Sequence, residues 1–395
     1  MLCWLRRLGE SIALTLSATV FTLPLCVYYF DTISLIAPLS NLAVLWCIPL
    51  LMGGGFLTGF LSGVAPPLAQ LVAIPVAVLA KGLVAIIHWL SLRPFAALDG
   101  SSSWMRLWLL VTYLLFFLFR LRKPKGWKRV GWVGLSLVTL VALVFGYRQT
   151  MASNAMTTQV LDVGQGQCIL FVSEGHAAVV DCGGSGMVSA GDTLANALEL
   201  LGIRTIDALI LTHYDNDHTN GLEPLLERTT VTRIFGPTPK DASGEHKAVE
   251  RLCAQYSIPW TLVTQDQTTA LGAGTLTLFA PTNGSSSNDA GLVVLSSVNH
   301  FDLLVTGDLS QSTEKKFLAS HRLPDIEVLV AGHHGSKNAT CDKLLEATTP
   351  EVAVISVGED NSYGHPNQDT LDRLNAHRIT VYRTDLNGTI TIGED

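Results

Sequence analysis

Between Leu211 and Gly221 the chain reads Leu-Thr-His213-Tyr-Asp215-Asn-Asp217-His218-Thr-Asn-Gly, which packs four metal-ligand side chains into six residues. Imidazole and carboxylate together suit a divalent cation, and paired sites of this composition hold two ions roughly 3.5–4 Å apart. The other reading is an acidic turn capping a helix, since Asp and Asn favour caps and turns. Ile206-Asp-Ala-Leu-Ile-Leu-Thr212, just before the cluster, is an apolar run of the kind a buried strand uses. The cluster therefore sits at a strand end, where sites are built.

Three further segments repeat this design. Val179-Val-Asp181-Cys-Gly-Gly184 and Leu303-Leu-Val-Thr-Gly307-Asp308 each end an apolar strand near a carboxylate. Asp181 reads first as a turn residue, with a carboxylate placed at a ligand as the alternative; Asp308 either bridges two metals or caps the helix that begins near Gln311. Ile326-Glu-Val-Leu-Val-Ala-Gly332-His333-His334-Gly335-Ser336 places two adjacent histidines after a buried strand. Such a pair is costly to place without partners, so one is a ligand and the other packs or hydrogen-bonds. Ser362-Tyr363-Gly364-His365-Pro366 follows the strand Val352–Val357 and supplies another imidazole, for phosphate contact or for proton donation to a leaving oxygen. Two metals would polarise an ester or phosphodiester, lower the pKa of a bridging water toward ~7 and steady the leaving oxygen, with Asp217 orienting that water. Hydrolysis is the most economical reaction. His88, His176, His246, His300, His321 and His377 fall outside these loops and receive no chemistry.

The elements that must position these residues follow from the apolar pattern. Short apolar runs recur at Gln159–Val163, Cys168–Val172, Ala177–Asp181, Leu209–Thr212, Val231–Phe235, Leu276–Ala280, Leu292–Ser297, Phe301–Thr306, Ile326–Val330, Val352–Val357 and Ile379–Arg383. Helical patterns lie at Thr193–Leu201, Leu222–Arg228, His246–Tyr256, Gln311–Ser320, Cys341–Ala347 and Gln368–Ala376. Early strands come without helices between them and later ones alternate with helices, which suits packed sheets covered by helices on their outer faces. Asn283–Asn288 is a low-complexity loop.

Composition divides the chain. Residues 1–150 hold 12 Lys+Arg and 3 Asp+Glu, net +9; the rest holds 26 − 12 = 14 basic and 33 − 3 = 30 acidic residues, net −16. The first 150 residues carry apolar stretches at Ser11–Phe30, Ile33–Phe60, Val64–Leu92, Trp104–Phe119 and Val130–Tyr147, most near the ~20 residues a spanning helix needs. This predicts a multi-pass membrane domain with about five crossings, the third stretch broken or re-entrant at Pro66, Pro67, Pro75 and Lys81. Arg120, Arg122, Lys123, Lys125, Lys128 and Arg129 mark a cytoplasmic loop. The fifth helix then places everything after about Met151 outside the cytoplasm, in agreement with Arg6 and Arg7. Within the membrane part Asn41, Lys81 and His88 either line a pathway or, for the two ionisable ones, snorkel to an interface. Cys168, Cys182, Cys253 and Cys341 lack C-x-x-C spacing and read first as buried small hydrophobes.

Taken together, Asp181, His213-x-Asp215-x-Asp217-His218, Asp308, His333-His334-Gly-Ser and Tyr363-Gly-His365-Pro resemble the metallo-β-lactamase superfamily. The tail of motifs, ending in Val381-Tyr-Arg-Thr-Asp385, is similar to the C-terminal domain of ComEC-type DNA-uptake proteins of competent bacteria. Phe21-Thr-Leu-Pro-Leu and Leu39-Ser-Asn-Leu42 resemble the end of that family's membrane channel domain. The resemblance implies a four-layer αβ/βα sandwich over residues 156–395, joined to part of a channel over 1–150 in a bacterial inner membrane. It implies metal held by His213, Asp215, Asp217, His218, Asp308 and the His333–His334 pair, catalysis by Asp217 and His365, and support from Asp181, Lys337 and Tyr363. The implied partners are DNA, single-stranded at the site, membrane lipid and other competence machinery.

Two departures stand out. The superfamily's second histidine is Asp215 here, a harder oxygen ligand that moves the metal, one or two divalent ions, from Zn²⁺ toward Mn²⁺ or Mg²⁺. No histidine occupies the loop near Asn283–Gly291 where the superfamily supplies another ligand, which leaves the first metal weakly held. The chain is also short for the family, as a fragment or truncated product would be. The implied function is a metal-dependent nuclease of DNA uptake. The competing readings are a catalytically silent module that gates or docks the channel, and a small-molecule ester or lactone hydrolase on the same fold.

Overall fold

Prolines set the helix boundaries in the first unit, Met1–Leu140, one of two compact units into which the chain divides. The computed structural model describes residues 18–19, 22–29, 32–34, 36–44, 46–91, 97–99, 103–122, 138–139, 141, 155–186, 189–240, 244–282 and 286–393. Helix Ile48–Val64 has Pro49 in its first turn, and helix Pro66–Ser91 begins on a proline, positions where the missing N–H is not needed. Ala65 between them, at φ −146° and ψ 76°, lies outside the helical region that a following proline disfavours. The stretch Ile33–Phe60 is therefore not one span: it holds the end of strand Thr32–Ser34, helix Ala37–Val44 and most of helix Ile48–Val64. The third stretch, in contrast, is one uninterrupted helix from Pro66 to Ser91; Pro75 removes a single backbone donor and the ladder continues on both sides. Helix Ser103–Arg122 follows, and Thr32–Ser34 pairs with Ala97–Asp99.

Among the described residues one helix, over Pro66–Ile87, is long and apolar enough to cross a membrane. Phe56, Phe60, Leu71, Val78 and Leu110 stand exposed on these helices. Asn41 is half-buried and Lys81 exposed. Arg6, Arg7, Lys123, Lys125, Lys128, Arg129, the His88 side chain, half of Ser11–Phe30 and most of Val130–Tyr147 lie outside the described residues.

The second unit, Val141–Asp395, is built on period-2 burial. One seven-stranded sheet runs Trp260–Leu262, Ile234–Gly236, Ala208–Ile210, His176–Cys182, Cys168–Ser173, Thr157–Val160, Ile390–Gly393. The other runs Gln267–Leu271, Gly274–Phe279, Val293–Val298, Phe301–Val305, Val328–Val330, Val352–Ile355, Thr380–Arg383. Val160, Ile169, Val180 and Ile210 face across to Leu278, Val294, Leu303, Val330 and Val354. Their sequence neighbours point the other way. Leu170, Val179 and Leu209 meet helices Ala190–Leu201, Leu222–Leu226 and His246–Tyr256. Val293, Leu304, Leu329 and Ala353 meet helices Gln311–Ser320, Asp342–Thr348 and Gln368–Ala376. Strands buried on both faces read as the continuous apolar runs seen in the sequence. The result is four layers: helices, sheet, sheet, helices.

Within the first sheet His176–Cys182, Ala208–Ile210 and Ile234–Gly236 are parallel; within the second Phe301–Val305, Val328–Val330, Val352–Ile355 and Thr380–Arg383 are parallel. Each set delivers its following loops to one edge, the usual place for ligands in parallel sheets. Cys168, Cys182, Cys253 and Cys341 are buried free thiols, as read from the sequence.

Candidate metal centre

Asp181 closes strand His176–Cys182 in a left-handed backbone conformation, φ +59°, with its carboxylate wholly buried. Thr212, just past strand Ala208–Ile210, donates its N–H to Asp181 Oδ1 at 2.7 Å and its hydroxyl to Oδ2 at 2.7 Å. Gln167 Nε2 donates to Oδ2 at 2.8 Å, and His218 Nδ1 lies 2.8 Å from the same oxygen. A short helix, Asn216–Thr219, carries Asp217 and His218. Gly166 explains how Gln167 reaches in: a Cβ there would lie 2.6 Å from Asp217 O, closer than any side chain tolerates.

From the other sheet, Thr306-Gly307 turns the chain so that Asp308 enters the same space. Gly307 has φ +54°, and a Cβ on it would sit 2.9 Å from Thr212 Cβ. Beyond Val328–Val330, His333 (φ 50°, ψ 48°) and His334 (φ 53°, ψ 28°) are both left-handed, a strained backbone for non-glycine residues. His333 N–H donates to Gly307 O at 3.0 Å, which locks this turn to the Asp308 loop.

The side chains converge on Asp308. Its Oδ1 is 3.3 Å from His218 Nε2 and 4.0 Å from His334 Nε2. Its Oδ2 is 3.5 Å from His333 Nε2 and 3.9 Å from His213 Nε2. Asp217 Oδ2 stands 3.3 Å from His334 Nε2, and Asp215 Oδ2 3.7 Å from His213 Nε2. Among the described residues, the ligand atoms of His213–His218–Asp308 and of Asp217–His218–His334 lie within 4.8 Å of one another in each group.

Three rings are oriented from behind. The Thr212 hydroxyl oxygen accepts from His213 Nδ1 (3.0 Å), Asp181 holds His218 Nδ1, and Ser356 O accepts from His334 Nδ1 (2.9 Å). Their Nε2 atoms, turned inward, are buried without a hydrogen-bond partner, as is Asp308 Oδ1. Orphaned buried groups cost about 1–3 kcal/mol each. Lone pairs converging on one another are satisfied by a cation, and outer partners of this kind fix ligands in metal sites. The donor set thus fits divalent metal.

Charge agrees. Burial opposes ionisation of Asp217, yet His334 and His218 outweigh it and bring its pKa down to about 2. Burial likewise opposes the charge on Asp308, and His218 and His334 hold it well below the ordinary carboxylate range. Burial, then His218, lowers His213. For His218 burial also disfavours the cation, but Asp308 and Asp181 raise it well above the ordinary imidazole value, so an ion held there would displace its Nε2 proton.

The remaining candidates lie at the rim. His365 has a buried Nδ1 without a partner, and its ring centroid is 5.8 Å from that of His333. Burial and the neighbouring imidazoles lower its pKa. Tyr363 stacks on it from outside. Lys337 is exposed beyond Ser336, its carbonyl accepting from Gln311, and belongs to none of these ligand contacts. Sequence reasoning missed Gln167, Thr212 and Ser356. It also missed Ser287, which donates to Asp215 Oδ1 at 2.9 Å from the very loop that lacks a histidine. The Gly164-Gln165-Gly166-Gln167 run was the one signal that pointed to the first of them.

Residues 161–359 match the Metallo-beta-lactamase superfamily, and residues 2–125 match the Competence protein family. The chain is 28% identical to ComE operon protein 3 of Bacillus subtilis, over 97% of this chain and 51% of that protein. It is 28% identical to competence protein ComA of Neisseria gonorrhoeae, over 95% and 50%. The chain thus spans about half the length of these relatives. Among solved structures it resembles the metallo-beta-lactamase fold protein YhfI of Bacillus subtilis at 14% identity, covering 61% of this chain and 100% of that one, with a TM-score of 0.43.

Proposed function

The chain belongs to the metallo-beta-lactamase superfamily, and we propose that residues 156–395 are a metal-dependent nuclease of DNA uptake, degrading one strand outside the inner membrane. Residues 1–150 form part of the accompanying channel. The observation that carries the reading is the Asp308 carboxylate, whose two oxygens face two different histidine pairs. On this reading Asp217, His218, His334 and Asp308 Oδ1 hold one ion, while His213, Asp215, His333 and Asp308 Oδ2 hold the other. His333 supplies the imidazole missing from the loop near Asn283–Gly291, and Ser287 of that loop fixes Asp215 instead. Three aspartates among the ligands favour a hard ion, Mn²⁺ first, with Mg²⁺ or Zn²⁺ as alternatives.

Ions held there supply Lewis acidity toward a phosphodiester and lower the pKa of water. Asp217, ionised, orients the attacking water. His365, at the rim, contacts the phosphate or hands a proton to the leaving oxygen. The competence match over residues 2–125 and the exposed apolar helices support the membrane assignment. The basic cluster after Arg120 supports the orientation.

A second reading, a silent module that gates or docks the channel, is favoured by the net charge of −16 after residue 150, because broad electrostatic attraction normally supplies most non-specific DNA affinity. The test is single-stranded DNA cleavage by the full chain purified in detergent, with a panel of metals. Cleavage should appear with Mn²⁺, vanish with chelator and return on re-addition. A metal content below one ion per chain supports the silent module. His333→Ala should lower metal content from about two ions per chain to about one. His365→Ala should leave it unchanged; equal contents in both variants would remove His333 from the ligand set.

A further inference from the structure

We infer that Tyr363 is a stacking platform for an unpaired nucleobase of the strand whose phosphate enters the metal centre; the inference rests on the nuclease reading. Most large apolar side chains of the second unit are buried, yet the Tyr363 side chain is 69% exposed. Its ring is stacked on His365 at 6.0 Å and 26°, and His365 in turn meets His333 edge-on at 5.8 Å and 82°. His333 reaches to 3.5 Å from Asp308. The rings step from solvent to the ligands, and the outermost leaves one face open.

The platform is held in place. Asn361 Nδ2 donates to Gly358 O at 2.9 Å and to His365 O at 2.6 Å, and Asn361 Oδ1 accepts from the N–H groups of Tyr363 (3.2 Å) and His365 (3.1 Å). One buttressing side chain fixes both aromatic residues, so little ordering cost remains for a ligand to meet. The acidic balance of this unit points the same way. With 30 acidic against 14 basic residues after residue 150, phosphate attraction is confined to the metal centre and its rim, and strand affinity needs another term. Stacking on an aromatic ring is that term: it tolerates any base and is worth ~1–3 kcal/mol per base by alanine substitution. A base inside a duplex already has both faces covered. The subsite therefore selects single strands over duplex.

The experiment compares full-length wild type, Tyr363→Ala and Tyr363→Phe on a single-stranded DNA oligonucleotide, an abasic oligonucleotide of equal length and the duplex, all with Mn²⁺. Binding is read by fluorescence anisotropy and cleavage by kcat/KM. Tyr363→Ala should lose about 10-fold or more on the base-bearing strand in both readouts. It should lose nothing on the abasic strand, and Tyr363→Phe should behave as wild type. Equal losses on base-bearing and abasic strands, or no loss, or failure of phenylalanine to rescue, overturns the inference. Base-selective, Tyr363-dependent binding without cleavage sinks the nuclease reading and leaves the platform standing. Absence of binding by wild type sinks both.

Discussion

Asp308→Ala is expected to strip both ions from the centre and to reduce DNA cleavage to the level of the chelated protein. Among the described residues Asp308 is the one carboxylate within reach of all four histidines, His213, His218, His333 and His334, so neither ion position survives its loss. The substitution should spare the fold. Asp308 Oδ1 has no hydrogen-bond partner in the protein, and the Gly307 turn is held by the backbone bond from His333. Metal content by elemental analysis should fall from about two ions to below one, with circular dichroism unchanged. Retention of both ions would show that the histidines do not depend on the bridge.

The second large effect is at Asp181, which touches no reacting atom. Its carboxylate accepts from the Thr212 N–H and hydroxyl, Gln167 Nε2 and His218 Nδ1, all within 2.8 Å and all buried. Asp181→Ala strands these donors together and should cost about 3–5 kcal/mol in denaturant unfolding, the scale of breaking a buried charged pair. Asp181→Asn keeps the shape and part of the network. It should fold, and lose about 10–100-fold in metal affinity because His218 is no longer oriented by a carboxylate. An asparagine variant with wild-type affinity would make Asp181 a packing residue alone.

Much of this arrangement was legible because burial and chemistry left marks in short segments. The two-sided strands read as unbroken apolar runs, and His213-x-Asp215-x-Asp217-His218 needs no partner to be noticed. Strands Gln267–Leu271 and Ile390–Gly393 went unread. They lie at sheet edges with alternate residues open to solvent, so they carry few apolar side chains. Trp260–Leu262, also an edge strand, is only three residues long. In the first unit, Pro75 suggested a break where the helix continues, since a proline removes one bond and not a turn.

At the site, the sequence offered the His333–His334 pair as a unit. Their division between the two oxygens of Asp308 depends on two consecutive left-handed residues, which adjacency in sequence does not reveal. Gln167, Ser287 and Ser356 act through polar atoms aimed by loops from distant strands, so only tertiary structure assigns them.

The most direct measurement is degradation of a labelled single-stranded oligonucleotide by the full chain and by Asp217→Ala, purified side by side and supplied with Mn²⁺. The nuclease reading requires metal-dependent cleavage by wild type that the variant lacks. Equal backgrounds in the two preparations would contradict it.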